Sequence, residues 1–96
     1  MAEVIWAHGA RSDLRQIYDY IAEDSPLYAE RFILKLIDKV NVLKEYPNSG
    51  RMVPEFENLK LRELIEGNYR IIYKIEPDSK IGIVRVHHSS QLLKNI

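Results

Sequence analysis

The chain has 96 residues, 46% of them hydrophobic and 29% charged, with 14 basic against 14 acidic side chains and no cysteine. That is the composition of one ordinary soluble globular domain spanning 1–96, large enough for a single core but small for a core and a deep enclosed pocket together, so no cofactor is expected. Zero net charge leaves no global basic field to draw the protein to nucleic acid, and the absence of cysteine excludes disulfides and thiolate metal sites.

Charge is not spread evenly: Met1 to Tyr46 carries 6 basic and 8 acidic residues, Pro47 to Ile96 carries 8 and 6, and no acid follows Asp78. No apolar run approaches the roughly 18 to 20 residues of a membrane span, and the N-terminus lacks a charged-then-apolar signal pattern. A cytoplasmic protein without membrane contact is expected.

The first element in chain order is Glu3 to Trp6, a short apolar strand that joins a later sheet at its edge or beside the last strand, with Trp6 as a core anchor. From Gly9 to Glu23, Leu14, Ile17, Tyr18 and Ile21 recur at helical spacing while Arg11, Asp13, Arg15, Gln16 and Asp19 fall elsewhere on the wheel. Asp24-Ser25-Pro26 closes this helix and opens a second, with Ser25 as N-cap and Pro26 in the first turn. Ala29, Phe32, Ile33, Leu36, Ile37, Val40 and Leu43 then form an unbroken stripe, the face expected to cover the sheet, until Tyr46-Pro47-Asn48-Ser49-Gly50 stops the helix.

Residues 47 to 58 hold two prolines and no periodicity, so a loop is expected, with Arg51 its only cation. Three antiparallel strands follow, separated by Gly67-Asn68 and by Pro77-Asp78-Ser79. In the middle strand Tyr69, Ile71, Tyr73 and Ile75 share one face, and Arg70, Ile72, Lys74 and Glu76 share a half-polar one. Leu64 and Ile65 break the alternation of the strand before it, which a bulge or burial on both faces would explain. After His88, Leu92, Leu93 and Ile96 have the spacing of a short C-terminal helical turn. The expected fold is therefore α+β: an N-terminal strand, a helical hairpin, and a three-stranded meander forming one sheet covered by the helices.

Few residues carry recognisable chemistry. Phosphate-binding, hydrolase, metalloprotease and calcium-loop motifs are all missing. His87 and His88 are adjacent on a strand, so they point to opposite faces and do not chelate one metal, and no metal is expected. His8 reads as a helix-terminus residue. Arg62, Arg70 and Arg85 lie on three different strands, where one cationic patch beside a histidine would suit ribonuclease chemistry, an imidazole moving protons and guanidinium groups stabilising phosphorane charge. The alternative is surface ion pairs with Glu63, Glu66 and Glu76.

The pattern W-x3-A-x2-DL-x2-I-x2-YI from Trp6 to Ile21, then SP-x2-A (Ser25 to Ala29), L-x2-YPNSGR (Leu43 to Arg51), LREL (Leu61 to Leu64), YRIIY (Tyr69 to Tyr73) and VHHS (Val86 to Ser89), resembles the ParE/RelE toxin superfamily of type II toxin-antitoxin systems. The resemblance covers nearly the whole chain. It implies a growth-inhibiting toxin, as in plasmid stabilisation systems, held inactive by a cognate antitoxin whose disordered C-terminal segment folds across it in a hetero-oligomer. RelE-like members cut mRNA in the ribosome, whereas ParE-like members inhibit DNA gyrase. Arg70 falls where nuclease members carry a catalytic arginine, His87 falls near a catalytic histidine, and Arg62 lies on the neighbouring strand; His88 or Ser89 stands where those members end in a tyrosine.

The LREL and YPNSGR blocks and the neutral charge are more similar to the ParE branch. A gyrase inhibitor acting by protein contact through Arg62, Arg70, Arg85, His87 and His88 is therefore expected. Its partner would be a ParD-like, ribbon-helix-helix antitoxin, with Arg31 and Lys35 on the hairpin as candidate contacts. A ribosome-dependent mRNA endonuclease is the enzyme alternative, with Arg70, His87 and Arg62 catalytic. A non-toxic protein of the same fold, acting only within a repressor complex, is the third.

Overall fold

The computed structural model describes residues 1–90, so the expected turn with Leu92, Leu93 and Ile96 lies outside the described residues. Strand β1 (Glu3–Trp6) leads into α1 (His8–Ala22) and α2 (Pro26–Asn41), which a 3-10 turn at Val42–Lys44 prolongs; β2 (Arg51–Met52), β3 (Leu61–Glu66), β4 (Tyr69–Glu76) and β5 (Lys80–His88) follow. The strands form one sheet in the order β1-β5-β4-β3-β2. β1 lies beside the last strand and runs parallel to it, with Trp6 opposite Ile83, while the other pairs are antiparallel. No helix among the described residues is long and apolar enough to cross a membrane.

Local chemistry accounts for the boundaries. Ser25 is extended and its hydroxyl accepts a hydrogen bond from the Tyr28 N–H at 3.1 Å, while Pro26 fills a first-turn position where its missing N–H costs nothing. Gly67, the first residue of the two-residue β3–β4 turn, has φ 57°, which glycine adopts without strain. The hairpin covers one face of the sheet, called the near face below. There Leu36, Val40 and Leu43 of the second helix and its 3-10 turn, with Ala10 and Ile17 of α1, pack on Ile71, Tyr73, Ile81, Ile83 and Val86.

The opposite, far face departs from the sequence reading in three ways. Arg51 and Met52, expected in an irregular loop, pair with Glu63 and Arg62 as a fifth strand, too short to carry a periodicity signal. Residues 53–58 then fold back over the sheet, and Val53 with Phe56 forms a second small core on Leu61 and Ile72, so the face is covered where it was expected to be half polar. Finally, β3 pairs without a register shift, and Ile65 is simply 39% exposed. The irregularity lies in β5, where Ile72 faces Arg85 but Tyr73 faces Ile83, leaving Val84 as the extra residue of a bulge.

Candidate functional site

Arg70 is the best-placed candidate of the sequence and it is 6% exposed. Its Nε donates to Glu63 Oε1 at 2.6 Å, and its two terminal nitrogens donate to Glu55 Oε2 and Oε1 at 2.6 and 2.7 Å. The second carboxylate is bound in the fork geometry that only arginine offers. Glu63 in turn accepts from Arg51 Nε at 2.6 Å on its other oxygen, and is itself 1% exposed. The hydrogen bond to Glu55 outweighs burial and raises the Arg70 pKa, so the guanidinium is charged at every pH the fold survives. β3 and β4 supply Glu63 and Arg70 on one face, and the segment after β2 brings Glu55 over them.

A second knot ties residues 47–50, just before β2, from the near face. Tyr73 Oη accepts from the Gly50 N–H at 2.9 Å and donates to Pro47 O at 2.7 Å, while Arg62 donates to Gly50 O at 2.9 Å. Burial, its largest influence, raises the Tyr73 pKa and keeps the hydroxyl a donor. A Cβ on Gly50 would stand 2.6 Å from Glu63 O and 2.7 Å from the Tyr73 ring, so this approach of backbone to ring requires glycine.

At the C-terminal end of β5 the strand outruns β1, whose last pair is Trp6 with Ile83. The Asp13 carboxylate stands beside this end: its Oδ2 accepts from the Val86 N–H at 2.9 Å and from Arg85 Nε at 2.7 Å, and its Oδ1 accepts from Arg85 at 2.9 Å. Asp13, placed by sequence on the polar side of α1, is therefore buried. An open cleft of about 220 Å³ lies here, lined by Asp13, Tyr20, Tyr69, Arg85, His87 and His88. Tyr69 meets His88 edge-on at 5.2 Å and Phe32 at 5.6 Å.

His87 pairs with Arg70 across the β4–β5 ladder, so it shares the far face, whereas His88 shares the near face with Tyr69. Burial first, then the charges of Arg85 and Arg70, lowers the His87 pKa, which leaves the ring neutral at pH 7. Its Nε2 is buried with no hydrogen-bond partner among the described residues.

The three arginines do not form one patch. Arg70 lies on the far face, Arg62 shares the near face with Tyr73, and Arg85 turns to Asp13 on α1. The expected partners are corrected with them: of Glu63, Glu66 and Glu76, only Glu63 pairs with one of these arginines. Glu66 faces Lys35 and Lys39 at 3.4 and 3.6 Å, and Glu76 faces Lys74 at 3.8 Å. Lys35 and Arg31 stand exposed on the hairpin. Among the described residues no group of three or more potential ligands is placed to hold a metal. As an assembly of catalytic groups the site has a neutral imidazole and a charged guanidinium side by side, but the guanidinium is already engaged by two carboxylates.

The family model for the ParE toxin of type II toxin-antitoxin systems, parDE, matches residues 4–93. The chain belongs to the ParE toxin family. It is 38% identical over 92 residues to Toxin RelE2 of Caulobacter vibrioides, spanning 96% of this chain and 100% of that one. Its fold is similar to that of a chain in the chromosomal ParDE TA system from P. aeruginosa, with TM-score 0.74 and 24% identity over 92% of this chain and 96% of the other. It is also similar to a chain of the toxin-antitoxin complex RelBE2 from Mycobacterium tuberculosis, with TM-score 0.66 and 22% identity over 91% and 96%.

In this ParE-family chain the sequence blocks that carry the resemblance are tied to one another. Gly50 and Arg51 of YPNSGR, Glu63 of LREL, and Arg70 and Tyr73 of YRIIY are among the members of the two knots. Sequence reasoning missed Glu55, Tyr73 and Asp13 as working polar residues, and named Glu63 as an ion-pair partner but at the surface, whereas it is buried. Tyr73 sits on the apolar face of its strand, and a hydroxyl at such a position is the one signal that could have been followed.

Proposed function

We propose that this toxin is neutralised by a cognate antitoxin and acts by protein contact on DNA gyrase, not as an endonuclease. The observation that carries this reading is Arg70: at the position of a nuclease arginine it is buried and gripped by Glu55 and Glu63, so it presents no free guanidinium to a scissile phosphate. Zero net charge supports the same reading, since a protein that works on ribosomal RNA gains from a basic surface. An antitoxin partner is supported by the two structural relatives, which are named as toxin-antitoxin systems. The target contacts proposed are the accessible members of the original set, Arg85, His87 and His88 around the cleft at the end of β5, with Arg62 and Arg70 as supports. Arg31 and Lys35 remain the proposed antitoxin contacts.

Purified, antitoxin-free chain is expected to inhibit gyrase supercoiling and to leave mRNA intact on translating ribosomes. Intact supercoiling together with mRNA cleavage would overturn the reading in favour of the endonuclease. The absence of growth arrest on induction would favour a non-toxic repressor component.

A further inference from the structure

Residues 53–58 cross the far face outside the strand ladders. Their backbone hydrogen bonds among the described residues are local turns, Phe56 N–H to Val53 O and Leu61 N–H to Asn58 O, both 3.1 Å. Pro54, Glu57, Asn58 and Leu59 are exposed. The ties that join the segment to the sheet include the apolar pair Val53 and Phe56 and the two-pronged bond from Arg70 to Glu55. Segments with few buried apolar contacts and no ladder bonds open locally at a small fraction of the global unfolding free energy. Beneath the segment the fork itself is held rigidly by Glu63, and His87 beside it has a buried Nε2 whose hydrogen bond is unmet among the described residues.

We propose that the Arg70 fork is a docking site for a carboxylate, and that residues 53–58 are a strap whose Glu55 occupies it until an acidic side chain of a protein partner takes its place. The chemistry exchanges like for like: a planar carboxylate leaves a planar guanidinium, another enters, and Glu63 keeps the guanidinium oriented throughout. A carboxylate is favoured over other anions because the site already holds one with both oxygens at hydrogen-bond distance. The strap also accounts for a buried arginine on a face whose apolar core, among the described residues, is small. The proposal holds whichever target the toxin has, and its readouts do not involve growth or gyrase.

The test uses the full chain, isotopically labelled, with the variants Glu55→Ala and Glu55→Gln. The probes are a capped peptide copying residues 52–58 and the same peptide with Gln at the Glu55 position. Loss of the charged hydrogen bonds is expected to speed amide exchange of residues 54–59 by roughly ten- to a hundredfold, while the amides of Ile71 and Val86 keep their wild-type protection. The acidic peptide is expected to shift the Arg70 Nε–H resonance saturably in Glu55→Ala, and to bind at least about tenfold more weakly to wild type, where the tethered strap competes. Unchanged exchange in the strap, equal binding of the two peptides, or binding of neither overturns the proposal. So does loss of sheet protection in both variants, because a strap that cannot lift without unfolding the sheet does not regulate access to anything beneath it.

Discussion

The two faces of the β-sheet are held by different physics. The near face is an apolar layer, with Leu36, Val40 and Leu43 set against Ile71, Ile83 and Val86, and its strength scales with area removed from water. Among the described residues the far face has Val53, Phe56, Leu61 and Ile72 for a core, and a chain of charges runs from Arg51 through Glu63 and Arg70 to Glu55. Burial of apolar surface tolerates small losses, whereas the loss of Glu63, 1% exposed at the centre of this chain, leaves charge poorly paired where water does not reach. The far face is thus the side that depends on its buried carboxylate, Glu63.

That contrast can be broken at four points. Glu63→Ala takes the carboxylate from Arg51 and leaves buried Arg70 without its Nε partner, and is expected to cost about 3–5 kcal/mol of unfolding free energy in a denaturant titration, as much as truncating a core leucine on the near face. Tyr73→Phe removes one hydroxyl and leaves the buried Gly50 N–H unpaired, for a loss of about 1–3 kcal/mol by the same measurement.

His87 supplies a pH dependence. Its folded pKa lies below the ordinary 6.5, so the fold favours the neutral ring. Its contribution is complete above that value and is lost as pH falls below it, because the unfolded chain binds the proton first. The groups around it are Arg85 and Arg70, which lower its pKa, and Asp13 and Glu55, which oppose them. His87→Gln is expected to fall less in stability than wild type on acidification through this range, read as parallel denaturant midpoints against pH. The smallest effect is expected for Lys35→Ala, since Lys35 is 66% exposed and Glu66 keeps Lys39 as a partner; the change should stay within about 0.5 kcal/mol. A larger loss there would mean that surface pairs matter to this fold as much as the buried chain does.

Much of this architecture is legible in the sequence because it rests on local rules. The α2 stripe, the Ser25-Pro26 cap and the period-2 run from Tyr69 each declare one element without reference to the rest. What stayed hidden is non-local. β2 is two residues long and exists only because Glu63 and Arg62 stand opposite it. Arg70 reads as a candidate for chemistry until Glu55, fifteen positions earlier and in a segment without periodicity, is brought onto its fork. Asp13 and Arg85 are 72 positions apart, and nothing in either neighbourhood announces that the bulge at Val84 lets them meet.

The most direct measurement is a double-mutant cycle on unfolding free energy with Arg70→Ala, Glu63→Ala and the pair. If the block that marks this family is a lock on the fold, each single change is strongly destabilising and the double change costs less than the sum by about 0.5–3 kcal/mol. Additive losses, or an Arg70→Ala chain of wild-type stability that no longer arrests growth, would contradict the account and return Arg70 to chemistry.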